Sequence, residues 1–176
     1  MPDTKRLIRL IAFAASVTML AGCSSASNIA KSPEEIQDMP AELQFEDVHV
    51  TVGDETASWL SQSSPKIVVA AFPGAGCDGP PAPSLKNGEI ELAVSIPWDA
   101  KAGDVFELPS DPLLANGAGA GIATMFEQKH SFSFSRGLVV VDELTDERVK
   151  IRIDLASADG TKKARGTLTA PFCPDM

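Results

Sequence analysis

Residues 148–169 leave this chain the fewest ways to fold. Val149, Ile151, Ile153 and Leu155 alternate with Arg148, Lys150, Arg152 and Asp154. A period of two places the aliphatic set on one face of a β-strand and the charged set on the other; a helix would scatter both around its surface. Asp159-Gly160 follows, a strong signal for a two-residue hairpin turn. A turn there opposes residues whose numbers sum to 319, so Asp154 faces Arg165, Arg152 faces Thr167 and Lys150 faces Thr169. On the other face Ile151 meets Leu168 and Ile153 meets Gly166. Apolar side chains meet apolar ones in this register, and a slip of one residue would turn the aliphatic face into water.

Shorter segments upstream carry the same signature. Residues 43–52 alternate, with a change of parity at Glu46-Asp47 that predicts a bulge. Residues 66–72 (KIVVAAF) form an apolar run between Pro65 and Pro73, the pattern of a buried strand. In residues 89–96, Ile90, Leu92, Val94 and Ile96 face in while Glu89, Glu91, Ala93 and Ser95 face out, and Pro97 ends the strand. Residues 131–135 alternate Ser with Phe, and 137–142 form a further strand. Between them lie a Gly/Pro-rich loop at 74–84, a single helical turn at 110–116 and a mobile loop at 117–121 (GAGAG). Many short strands with frequent turns predict a mainly β domain over residues 42–176, an antiparallel sandwich or barrel.

The amino-terminal segment has another character. Lys5, Arg6 and Arg9 precede an apolar run of 11 residues at 10–20. At ~1.5 Å per helical residue the run is too short for a hydrocarbon core of ~30 Å, and its length and flanks fit a secretory signal. Leu20-Ala21-Gly22-Cys23 follows directly. In these residues the chain resembles bacterial lipoproteins, whose lipobox is Leu-small-Gly-Cys; the resemblance covers only the first 23 residues. It implies diacylglycerol on the sulfur of Cys23, cleavage before Cys23 so that 1–22 is a signal peptide, and acylation of the new amino terminus. Two or three acyl chains give a stable anchor where one is marginal. Ser24, next to the lipid site, resembles the outer-membrane default of envelopes with two membranes; with one membrane the anchor lies on its outer face. The competing reading, ordinary cleavage near Ala26, leaves Cys23 a free thiol.

Removing residues 1–22 takes away Lys5, Arg6, Arg9 and Asp3, leaving 154 residues and changing the formal charge from −9 to −11. That charge argues against a nucleic-acid partner, because polyphosphate affinity rests on clustered Lys and Arg. Residues 24–41 are polar and carry Pro33 and Pro40; as a flexible tether they reach about 21–25 Å root-mean-square. Within the lipidated tether, 23–41, Ser32-Pro33-Glu34-Glu35 has the spacing of a capping box and predicts a short helix before Pro40.

Of three cysteines, Cys23 takes the lipid and Cys77 and Cys173 remain. In an exported chain such a pair is most simply a disulfide, and closing a loop this long contributes about 4–5 kcal/mol in the chain-entropy model. A cysteine nucleophile is the rival reading, but no base stands near either residue in sequence.

Few residues form a pattern that performs chemistry. His49 and His130 are not in metal-ligand spacing, the GxSxG elbow is absent, and GAGAG lacks the spacing and following helix of a dinucleotide loop. Asp142, Glu143, Asp146 and Glu147 crowd one turn, a cluster that can be read as a Ca²⁺ site or as paired carboxylates for glycoside hydrolysis. Arg148, Lys150, Arg152, Lys163 and Arg165 can share one outer face, a basic stripe suited to an anionic polymer, headgroup or acidic partner. Trp98, at a strand end, can be presented by a loop as a sugar platform. With no catalytic, metal or cofactor set to name, the expectation is a membrane-anchored envelope module that is not an enzyme and binds a protein or small ligand. A structural envelope lipoprotein is the alternative, and a carboxylate-dependent hydrolase comes third.

Overall fold

The computed structural model describes residues 29–45, 48–52, 55–61, 66–79, 90–108, 121–125 and 130–173. The signal segment with Cys23, the Glu46-Asp47 parity change, the turn at 110–116 and all but the last glycine of 117–121 lie outside them.

The domain is an antiparallel β-sandwich. Its strands are β1 (Glu42–Phe45), β2 (Val48–Thr51), β3 (Thr56–Leu60), β4 (Lys66–Ala71), β5 (Ile90–Pro97), β6 (Val105–Leu108), β7 (Gly121–Met125), β8 (His130–Ser133), β9 (Arg136–Leu144), β10 (Arg148–Ala156) and β11 (Lys162–Pro171). One sheet has the order β2-β1-β11-β10-β9-β6 and the other β3-β4-β5-β7-β8. The aliphatic faces meet between them. Leu43, Val139, Val141, Val149, Ile151, Ile153 and Leu155 from the first sheet, and Val69, Leu92, Val94 and Ile96 from the second, are fully buried, each large side chain stabilising the fold by about 1.5–3 kcal/mol.

The β10–β11 ladder has the register read from the sequence, with Asp154 opposite Arg165, Arg152 opposite Thr167 and Ile151 opposite Leu168. Its turn is wider than two residues. Gly160 N–H donates to Ser157 O with Gly160 at φ 75°, and the ladder resumes where Ser157 N–H donates to Lys162 O. The single bulged strand expected over 43–52 is instead two strands, β1 and β2, paired antiparallel with Phe45 opposite Val48; a reversal of direction mimics a parity slip. In β5 the inward set is as expected, yet Ser95 on the outward parity is also buried.

Two features join the sheets. After β5 the chain crosses to β6 through a turn in which Gly103 N–H donates to Val141 O and Val141 N–H to Asp104 O. At the far edge, the end of β11 runs beside β3. Ser58 Oγ donates to Pro171 O at 2.8 Å, Cys173 N–H donates to Ser58 O, and the Cys77–Cys173 disulfide fastens this edge to the loop after β4.

Candidate functional site

Residues 29–41, expected as flexible spacer, lie as a strap across the outer face of the six-stranded sheet. The helix expected from the capping box is a single 3-10 turn, Pro33–Glu35; Ser32 stands at its N-cap but supplies no side-chain bond, and Ile36 is already extended. Glu35 accepts a hydrogen bond from Lys31 N–H instead. What the helix lacks in length the sheet supplies in partners. Ala30 and Ile36 bury against Leu138 and Val140, a second small core outside the main one.

Arg152 is the centre of the strap's attachment. Its Nε and Nη2 donate to the Asp142 carboxylate at 2.8 and 2.9 Å, and its Nη1 donates to Pro33 O at 2.7 Å and Ile36 O at 3.0 Å. A planar guanidinium can make this two-sided contact; an ammonium cannot. Hydrogen bonding to Asp142, followed by its charge, raises the Arg152 pKa against a desolvation that lowers it. On one side of Arg152, Lys150 Nζ and Thr167 Oγ1 donate to Asp38 at 2.9 and 2.8 Å, and these bonds lower the Asp38 pKa. On the other side the buried Asp154 accepts Ala30 N–H at 2.9 Å.

The basic stripe is therefore occupied over much of its length. Arg148 pairs with Glu143 at 2.6 Å, Arg152 with Asp142 and Lys150 with Asp38. The acidic turn is divided in the same way: a register shift between Lys150 and Ile151 marks a bulge, and across it the adjacent Asp142 and Glu143 reach two different arginines. No convergent carboxylate set is left by that arrangement, and among the described residues no group of three or more His, Cys, Asp or Glu side chains gathers as for a metal. His49 is exposed on edge strand β2, His130 opens β8, and Trp98 is exposed at the end of β5.

Two clefts flank the strap. One, of about 380 Å³, is lined by Glu35, Glu42, Asp154, Arg165 and Gly166 together with strap residues. The other, of about 370 Å³, is lined by Asp38, Met39, Lys150, Thr167 and Thr169. Between them the strap passes so close to Gly166 that a Cβ there would stand 2.7 Å from Pro40 O and 2.8 Å from Ala41 Cα, with φ at +116°. This glycine was visible in the sequence; the strap that requires it was not. Leu138 and Val140, outward-facing aliphatics on β9, were the one signal that something covers this face. No family model, curated protein or solved structure matches the chain.

Proposed function

We propose that this chain is an exported bacterial lipoprotein, held in a membrane by lipid on Cys23, whose β-sandwich serves as a non-catalytic binding or interaction module of the cell envelope. The observation that carries the reading is Leu20-Ala21-Gly22-Cys23 immediately after an apolar run that is itself preceded by Lys5, Arg6 and Arg9. The Cys77–Cys173 disulfide supports an oxidising destination outside the cytoplasm. The strapped face supports an interaction role: it offers two polar clefts of modest size, while Lys150, Arg152 and Asp154 are engaged in attaching the strap. Ser24 favours the outer membrane, facing the periplasm, in an envelope with two membranes.

Native mass spectrometry of protein extracted from its own membrane without reductant tests this directly. The expected mass is that of residues 23–176 with acyl chains added and two hydrogens removed. A retained small molecule would identify the ligand class, and a lipidated, empty domain would direct the search to protein partners by cross-linking. Replacing Cys23 by Ser should strand the precursor; unchanged mass and fractionation would overturn the anchor.

A further inference from the structure

The strap sets how far an anchor at Cys23 can stand from the sandwich. Undocked, residues 24–41 would let β1 lie up to about 65 Å from Cys23. With the strap seated, only residues 24–28 separate Cys23 from Ile29, and a chain of that length spans at most about 20 Å. The seated strap also begins at one end of the molecule. Ile29 and Lys31 line a cavity with Arg136, Gly137 and Leu108, beside the β10–β11 turn, whereas the β9–β10 turn lies at the other end of the nine-residue β10, about 27 Å away.

We propose that the seated strap is a short stand-off that turns the β10–β11 end of the sandwich toward the bilayer, where Lys31, Arg136, Lys162 and Lys163 meet anionic lipid headgroups. The proposal rests on lipidation at Cys23. Arg136 and Lys163 flank Ala156 in one outward-facing row of the sheet, Lys162 adjoins the turn, and Lys31 comes from the strap. Asp159 is the carboxylate of this turn, Glu35 accepts the Lys31 N–H, Glu107 lines the cavity that holds Lys31, and Glu46 and Asp47 follow Phe45, the partner of Lys162, in the sequence. Glu42 and Asp154 stand one outward-facing row further from the end, in register with Arg165. The opposite end carries Glu143, Asp146 and Glu147, and its Arg148 already faces Glu143, while Asp142 is taken up by Arg152 midway along β10. An anionic surface favours the first end, with four cations, over the second, whose one arginine is already paired among carboxylates.

The test uses the full lipidated protein in vesicles of mixed anionic and zwitterionic lipid that carry a headgroup quencher. A fluorophore is placed on Ala158→Cys, in the β10–β11 turn, or on Asp146→Cys, in the β9–β10 turn; both positions are exposed. Quenching at position 158 should exceed that at 146 by at least threefold. Inserting ten Gly/Ser residues between positions 28 and 29 should bring the ratio toward one. Vesicles without anionic lipid should lower it as well. Equal quenching on a chain shown by mass to be lipidated, or a ratio indifferent to the insertion or to anionic lipid, overturns the orientation and leaves the anchor standing. An unmodified Cys23 overturns the anchor, and the orientation with it.

Discussion

On the inner face of β10, Val149, Ile151, Ile153 and Leu155 are fully buried among aliphatic side chains of both sheets; on its outer face Lys150, Arg152 and Asp154 hold the strap by a handful of directed bonds. The inner contacts are non-directional and depend on area and fit. Each outer contact needs a specific atom brought from more than a hundred residues away in sequence. One face therefore fails by losing volume and the other by losing a single partner, and variants on the two faces should behave differently.

The disulfide at the sandwich edge serves both faces and should show the largest effect. Reduction, or Cys77→Ser with Cys173→Ser, should cost about 4–5 kcal/mol for a loop of this length, seen as a lower denaturation midpoint. An unchanged midpoint with both thiols titrated as free would remove the bond from the account. Ile153→Ala comes next, at roughly 3 kcal/mol for the lost transfer energy and residual cavity. Its loss should be global, with amides throughout both sheets exchanging at the same reduced free energy.

Arg152→Ala should cost less, roughly 1–3 kcal/mol, and its effect should be local. Native-state hydrogen exchange should quicken first at the amides of Ala30, bonded to Asp154, and Thr167, bonded to Met39 O, while β10 amides on its inner-face residues keep their protection. Arg152→Lys should not restore the strap, since one ammonium cannot serve Asp142 and two carbonyls together. If Arg152→Ala instead lowered protection everywhere by as much as Ile153→Ala, the two faces would be one cooperative unit and the comparison would fail.

The same contrast explains what the sequence could reveal. Period-two alternation located β5, β8 and β10 and fixed the β10–β11 register, because burial on one face writes itself into every second residue, whereas β4 and β9 were legible as apolar runs. β3 and β6 are short, and β3 is rich in small and polar residues, with Ser58 buried by virtue of its bond to Pro171 O; no aliphatic pattern marks them. The strap was hidden for a related reason. Residues 29–41 contribute two buried apolar side chains to the outer sheet face, Ala30 and Ile36, and one, Ala41, to the main core, and are otherwise held through backbone atoms and Asp38. Backbone acceptors carry no sequence signature. Arg152 was visible as a cation but not as a clamp, because its carbonyl partners have no identity in the sequence.

Acid titration sharpens the comparison at its smallest scale, in the β10–β11 turn. Asp159 accepts hydrogen bonds from Ser157 Oγ at 2.5 Å and Thr161 N–H at 3.1 Å. These bonds, the first above all, hold its pKa down to about 2, against 3.8 ordinarily. A depressed folded-state pKa means that the stabilisation is fully present above the ordinary carboxylate range and is lost as pH falls toward about 2. Asp159→Asn should therefore lower the denaturation midpoint at pH 7, where the carboxylate's stabilisation is fully present, and flatten the acid limb so that the difference from the wild type closes between pH 4 and 2. Glu91 supplies the opposite sign. Half-buried on the outer side of the five-stranded sheet, it has its pKa raised by desolvation, so its ionisation opposes folding as pH rises past the ordinary range. Glu91→Gln should raise the neutral-pH denaturation midpoint slightly and lose that advantage in acid. The two variants together should displace the pH–stability curve in opposite senses; displacement in the same sense would mean that net charge, rather than these local environments, governs the acid response.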